Sequence, residues 1–456
     1  MLIRFSIENF LSFKDRVVFS MIPGKGTLKP NHKSNTLKGI SALKASVIFG
    51  ANASGKSNLI KAIAWGKKIV LRGTKSDQII KFQNYRLDLK AKTCNSRIEY
   101  EIQHNGKNYA YGFVFNSKEI VEEWLFELTN KKETKIFERN SVSEIPFDLE
   151  HLFKINKKEE QQQFLKFIAK GTPNNQLFLT EIRTRKVKDN VSDITDLLNV
   201  IDWFQNSLKV IFPDDKYNEG VKFEIKDDSK LQTTFEELLK YFDTGINGIC
   251  LEKIDPENVE FPFEIYEKIK EDLINSKSEK AIAVVVSSKA TTYFVSKKGD
   301  DFIVYKFMTK HSVKGQQRQE LFDTCDESDG TNRIMDFIPL IMDLLHGNNV
   351  FVIDEMERSL HPNLIYDLID LFLEKSENIN SQIILASHES SLLTQKLLRK
   401  DEIWFVVKDK DGASHLHSLE EYNIRFDKEI RKDYLLGRYK AVPRIGNRNN
   451  LTVLPK

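Results

Sequence analysis

Gly50-Ala51-Asn52-Ala53-Ser54-Gly55-Lys56-Ser57 fits the phosphate-loop (Walker A) pattern G-x-x-x-x-G-K-[ST] at every position. Gly50 and Gly55 permit backbone angles that a side chain resists. The small residues between them, Asn52, Ala53 and Ser54, let successive N–H groups converge as an anion nest. The helix that follows, with Asn58 in its first turn, turns its positive end to the same point. Lys56 is placed to reach the β- and γ-phosphates of a nucleoside triphosphate, and the Ser57 hydroxyl to ligate Mg²⁺. The pattern predicts a nucleoside triphosphate and Mg²⁺ as the bound species. A plain Gly/Ser-rich turn between a strand and a helix is the alternative.

Three further stretches could complete such a site. Val350-Phe-Val-Ile-Asp354-Glu355 is four apolar residues followed by two acids. It reads as a buried parallel strand delivering carboxylates at its C-terminal end. Asp354 would hold Mg²⁺, and Glu355 would act as general base on the attacking water. Gln382-Ile-Ile-Leu-Ala-Ser387-His388 is a second apolar strand ending in a polar pair, from which His388 would reach the γ-phosphate. Glu327-Ser328-Asp329-Gly330-Thr331 precedes a helix predicted over Asn332–His346, so Ser328 and Gly330 sit at another helix N-terminus. Each has an ordinary counterpart: an acidic turn after a strand, a structural histidine, and a simple N-cap.

These residues need a scaffold. Ala45–Phe49 reads as a short buried strand before the loop, and Asn58–Trp65 as an amphipathic helix after it. Strands are predicted at Leu2–Ile7 and Val17–Phe19. An antiparallel meander is predicted over 97–128, with Asn105-Gly106 as a hairpin turn. Residues 145–280 lean helical, with amphipathic stretches at Phe164–Ala169 and Ile194–Phe204. Strand character returns at Ala281–Val286, Tyr293–Val295 and Phe302–Tyr305. Pro339 should kink the 332–346 helix or mark an irregular start. A helix is expected from Pro362 to about Glu374, and strands at Ile403–Val407 and His415–His417.

The order of these motifs resembles the ABC-type ATPase heads, and within them the SMC/RecF/OLD branch. Ile7-Glu-Asn-Phe-Leu-Ser-Phe-Lys14 is similar to the first strand of that branch. Glu327–Thr331, Asp354-Glu-Met-Glu-Arg-Ser-Leu-His-Pro362 and Gly437-Arg-Tyr-Lys-Ala-Val-Pro443 resemble the stand-alone AAA-type ATP-binding proteins of bacteria. These include RloA-like and abortive-infection ATPases of anti-phage systems. The resemblance implies an α/β fold: an ABC-type P-loop NTPase head, a mixed β-sheet with flanking helices, carrying a largely helical insertion. The implied domains are an N-terminal lobe at 1–140, the insertion at 141–318 and a C-terminal lobe at 319–456. It gives Ser328 and Gly330 the role of the ABC signature, Arg358, Ser359 and Leu360 that of the D-loop, and His388 that of the switch histidine. Gln83 is the best candidate for the glutamine that touches the metal. The signature reads Ser-Asp-Gly-Thr rather than Ser-Gly-Gly-Gln, and Lys440 stands where a glycine is expected.

The resemblance also implies a homodimer closing head to head over shared ATP sites, and it allows a larger assembly. A sensor ATPase that controls a separately encoded nuclease or toxin is the expected role; a RecF-like DNA-repair or DNA-binding ATPase is the alternative. A non-hydrolysing scaffold is a third reading, against which Glu355 stands. Asp409-Lys-Asp411 is formally D-x-D, but its place between two strands predicts a hairpin turn.

Composition narrows the classes. Lys+Arg is 69 and Asp+Glu 66, a net charge of +3, which predicts no globally basic, nucleic-acid-coated surface. Local clusters exist at Arg183–Lys188 and in Arg438, Lys440, Arg444, Arg448 and Lys456. Such runs are more often solvated surface than binding patches. The three cysteines, Cys94, Cys250 and Cys325, show no metal or disulfide spacing. No signal-like or membrane-length apolar run is evident, so a cytoplasmic protein without membrane contact is expected.

Overall fold

The computed structural model describes residues 1–276, 282–286, 291–299, 301–358, 360–377, 379–422 and 429–443. It forms two compact units. The first comprises 1–213, 344–357 and 365–456; the second comprises 214–343 and 358–364.

The first unit is built on a six-stranded sheet. Its order is Ser414–Ser418, Ile403–Lys408, Ala45–Phe49, Gln382–Ala386, Val350–Asp354 and Leu208–Ile211. All neighbours run parallel except the Ser414–Ser418 edge. Every residue of Ala45–Phe49, Val350–Asp354 and Gln382–Ala386 is buried, as expected of strands covered on both faces. The register puts Asp354 beside Ala386, and Ala386 beside Ile48. Three chemically marked strands therefore end level with one another.

A seven-stranded antiparallel sheet belongs to the same unit, running Val17–Ser20, Leu2–Glu8, Ser96–His104, Lys107–Phe115, Ile120–Leu128, Glu133–Asn140 and Phe147–Asp148. Asn105 (φ 46°) and Gly106 (φ 76°) form its two-residue hairpin. The helix Lys56–Arg72 is longer than its predicted segment and buries Leu59, Ile60, Ile63 and Val70 in the shared core.

The expected insertion at 141–318 is corrected at its first boundary. Residues 141–213 belong to the first unit. Leu165, Phe178, Ile182, Leu197 and Trp203 join the same core as Phe5, Tyr100 and Tyr111. Glu123, buried in the antiparallel sheet, accepts from Phe178 N (2.6 Å), Leu179 N (3.1 Å) and Tyr111 Oη (2.9 Å). It caps the helix Phe178–Thr184 from across the core. Leu208–Ile211 then completes the parallel sheet next to the Asp354 strand. Four residues with only two fully buried side chains give too short a pattern to register in sequence.

The second unit is less helical than expected. Its sheet runs Gly248–Ile254, Asp301–Ser312, Thr292–Lys298 and Ile282–Val286, with Gln319–Asp323 also on the long Asp301–Ser312 strand. The helices Ser229–Tyr241 and Phe263–Asn275 accompany it. Tyr266, Leu273, Tyr293, Val295 and Val304 form its core. Exposed Glu252 and Lys253 break the alternation of Gly248–Ile254, which hid that strand.

Asp409-Lys-Asp411 is the predicted hairpin turn. Asp409 Oδ1 accepts from Asp411 N and Ala413 N, both at 2.9 Å, and Oδ2 lies 2.9 Å from His415 Nε2. Within the basic stretch, Arg183 donates to the Leu71 carbonyl and Arg185 pairs with Glu181. Ala281, Ser359, Arg444, Arg448 and Lys456 lie outside the described residues. Among the described residues, no helix is long and apolar enough to cross a membrane.

Gly437–Pro443 packs on the strand beside the phosphate loop: Tyr439 stacks on Phe405 at 4.8 Å. Lys440 has φ +57°, which is the physical reason a glycine is expected there. Its side chain is exposed. Lys440→Gly should therefore raise unfolding free energy by about 0.5–1 kcal/mol, measured by chemical denaturation. A fall would mean that the lysine stem's contacts outweigh the relief of strain.

Candidate nucleotide site

The loop Gly50–Ser57 leaves the parallel sheet at Phe49 and enters the helix at Lys56. A Cβ on Gly50 would lie 2.5 Å from Ser54 Oγ and 2.6 Å from the Val406 carbonyl. Gly55 has φ +118°, and a Cβ there would meet Ser414 Oγ at 2.3 Å and Ser12 Oγ at 2.8 Å. Both glycines are thus required by space, and Gly55 by backbone angle as well. Ala53 takes φ +60° between them, so the loop curls tightly.

Two serines not singled out in sequence brace the loop from behind. Ser414 Oγ donates to the Ser54 carbonyl at 2.5 Å and lies 2.8 Å from Ser12 Oγ. Ser414 N donates to the Ser12 carbonyl at 2.8 Å. Asn58, expected at the nucleotide, donates through Nδ2 to Ser12 Oγ at 2.9 Å. It acts on the loop's support. No periodic signal marks Ser12 or Ser414, because the contact joins positions some four hundred residues apart.

Lys56 is buried. Its Nζ donates to the Gly50 carbonyl at 2.8 Å and lies 3.0 Å from His388 Nε2. Burial lowers its pKa to about 8, against the partly opposing charges of Asp354, Glu357 and Glu355. Burial first, and the Lys56 charge second, hold the His388 pKa below its ordinary value, so the neutral ring accepts from the ammonium. Asp354 is raised, chiefly by burial, although the Ser57 hydroxyl bonds to it. Its Oδ1 is buried with no hydrogen-bond partner among the described residues. An unsatisfied carboxylate oxygen beside a serine hydroxyl is a hard-oxygen donor pair that fits Mg²⁺. Glu355 follows with φ +49°, its N–H on the Ala386 carbonyl at 3.0 Å. A glutamate in that region is locally strained, as residues at chemical sites often are.

The structure therefore joins Lys56, Ser57, Asp354 and His388 by direct contacts, with Glu355 adjoining. Gln83 is not joined to them. Its side chain is exposed, its carbonyl accepts from Leu11 N at 2.7 Å, and no hydrogen bond links it to Ser57 or Asp354. The chain leaving the strand next to Asp354 reads Phe212-Pro-Asp-Asp215 and offers no glutamine in its place. Ser328 and Gly330 belong to the second unit. The helix begins at Asp329, three residues before the predicted start, and continues through Pro339 to His346. Ser328 Oγ accepts from Thr331 N at 3.1 Å as an N-cap. Glu327 is anchored by Thr309 Oγ1 (2.5 Å) and His311 Nε2 (2.7 Å). Arg358 pairs with Asp214 at 2.6 Å on the surface of the same unit.

The pKa of Lys56 has a consequence for binding. A phosphate beside it would return the ammonium toward its ordinary, higher value. Nucleotide binding should then take up roughly 0.7 proton at about pH 8.5, and affinity should fall as pH rises through about 8. Titration calorimetry of Mg-ATP in two buffers of different ionisation enthalpy measures the uptake; proton release would contradict it.

A family model described as "AAA domain, putative AbiEii toxin, Type IV TA system" matches residues 45–394, most of the chain. No curated protein matches it. Among solved structures, the chain is similar to the SMC head domain from Thermotoga maritima (11% identity, 91% of this chain and 98% of that one, TM-score 0.38). It is also similar to an Smc head domain with an extended coiled coil, bound to the C-terminal domain of ScpA, derived from Pyrococcus furiosus (13%, 96% and 99%, TM-score 0.36).

Proposed function

This chain belongs to that AAA-domain family, and from that premise we propose a Mg²⁺-dependent ATP hydrolase of the SMC/ABC type that works as a switch. The observation that carries it is the convergence of Lys56, Ser57, Asp354, Glu355 and His388 at one end of one parallel sheet. Lys56 and the loop amides bind the β- and γ-phosphates. Ser57 and Asp354 would hold the metal, which would supply positive charge to offset that of the phosphates. Glu355 orients the attacking water and takes its proton. His388, neutral and hydrogen-bonded to Lys56, reaches the same phosphate.

The reading extends to a homodimer. Ser328 and Gly330 open a helix in the second unit, and its N-terminal amides suit a γ-phosphate presented by another copy. ATP would favour the closed dimer and hydrolysis would release it. The family is described as a putative AbiEii toxin of a type IV toxin–antitoxin system; the reading places this chain in bacterial anti-phage defence, with a separately encoded effector under control. Copurification with products of neighbouring genes tests that placement. Turnover that rises with DNA ends and falls steeply with salt would instead support the RecF-like alternative.

Ser328→Arg separates the shared site from the binding pocket. Each monomer should bind nucleotide within about threefold of wild type, while turnover falls about 10²-fold or more, read by equilibrium binding and phosphate release. Normal turnover would refute the shared site.

A further inference from the structure

Glu357 is the acid in the Asp354–Pro362 motif to which neither binding nor proton transfer assigns a role. It follows fully buried Met356, two residues beyond Glu355. One carboxylate oxygen, Oε1, accepts from the backbone N–H of His388, and the Ser387 hydroxyl bonds to the same carboxylate. Ser387 Oγ in turn accepts from Glu389 N at 2.9 Å. The parallel ladder between these strands ends at Asp354 and Ala386, followed by the Glu355 N–H on the Ala386 carbonyl. Beyond that, the Glu357 carboxylate ties the turn after one strand to the turn after the other.

The tie is held against opposing forces. Burial raises the Glu357 pKa, and the charge of Glu355 adds to the rise. The second oxygen, Oε2, is buried without a partner among the described residues. An apolar side chain would avoid both costs. What it could not do is receive the His388 amide and the Ser387 hydroxyl. Those bonds fix the backbone from which the imidazole reaches Lys56 at 3.0 Å.

We propose that Glu357 is a positioning residue for ATP hydrolysis, which through Ser387 and the His388 amide holds the His388 ring at the Lys56 ammonium where the γ-phosphate binds. This rests on the ATPase reading above. Its role is distinct from that of Glu355: it touches neither water nor phosphate and acts through the histidine.

The test uses the full chain, ¹⁵N-labelled at its nine histidines. The His388 resonances are assigned by His388→Gln. In Glu357→Ala the His388 amide proton should move upfield and its ring nitrogens should shift. Glu357→Gln, which keeps an acceptor oxygen, should stay close to wild type. Turnover in Glu357→Ala should fall about 10²-fold, with KM for ATP within about threefold. The Glu357→Ala/His388→Gln double variant should be no slower than His388→Gln alone. Unchanged His388 signals in Glu357→Ala, or losses that simply multiply in the double variant, would overturn the proposal. If Glu357→Ala does not fold, Ser387→Ala removes one strut alone, and the same resonances must move. A wild type that hydrolyses no ATP would sink the ATPase reading, while the spectra would still decide whether Glu357 positions His388.

Discussion

Lys56→Ala should abolish measurable ATP binding while leaving the fold intact. Among the described residues the ammonium is the only cation in direct contact with the loop carbonyls and with His388, and it lies where the phosphates enter. Charge-assisted bonds to phosphate contribute about 1.5–3 kcal/mol each, so losing two weakens binding by about 10²–10⁴-fold. Asp354, Glu355 and Glu357 would then face the triphosphate with no lysine to balance them, which adds to the loss. Folding should suffer little. Burial disfavours the Lys56 charge, and none of its hydrogen bonds goes to a carboxylate. The expected stability change is within about 1 kcal/mol. Equilibrium binding of a fluorescent ATP analogue beside a thermal melt measures both quantities. Near-normal affinity in a folded Lys56→Ala protein would remove the phosphate loop from the account.

The site was legible where chemistry and local geometry coincide in a few consecutive residues. Gly50–Ser57, Asp354-Glu355 and Ser387-His388 each follow a run of buried apolar residues, so both the strand and the polar end that it delivers are written together. Asn105-Gly106 and Asp409-Lys-Asp411 were legible for a similar reason, because the turn and its residues are one feature. Even the expected glycine at 440 had its cause in the backbone, although a lysine carries the positive φ.

Features set by distant partners were not legible. Ser12 and Ser414 matter only because the fold brings their hydroxyls together behind Gly55. Leu208–Ile211 becomes the edge strand of the parallel sheet by lying next to Val350–Ile353, whereas its own four residues say little. The boundary expected near 140 gave way because Glu123 and the helix Phe178–Thr184 satisfy each other across it. Gln83 has the right residue type, but its side chain is exposed on a segment anchored by buried Ile80 and Tyr85, and type alone could not place it. Glu357 looked like one more acid in a motif until its bonds to the His388 turn were visible.

Glu355→Gln should retain ATP and lose turnover. The amide keeps the size and much of the hydrogen bonding of the carboxylate but cannot accept the proton that water must shed, so kcat should fall about 10²–10⁴-fold. The backbone imposes no added penalty, since glutamine tolerates φ +49° about as well as glutamate. Removing one negative charge from a cluster that already contains Asp354 and Glu357 should, if anything, tighten nucleotide binding. The ATP-bound form then accumulates. If the Ser328 helix of one copy closes over the phosphates of another, this variant with Mg-ATP should elute as a stable dimer, and without nucleotide it should not. Light scattering after size exclusion distinguishes the two, and adding Ser328→Arg should return it to monomer. Turnover within tenfold of wild type would move the base away from Glu355. A monomer that keeps ATP bound and unhydrolysed would leave the chemistry standing and remove the shared site, because closure is the step that the trapped nucleotide must drive.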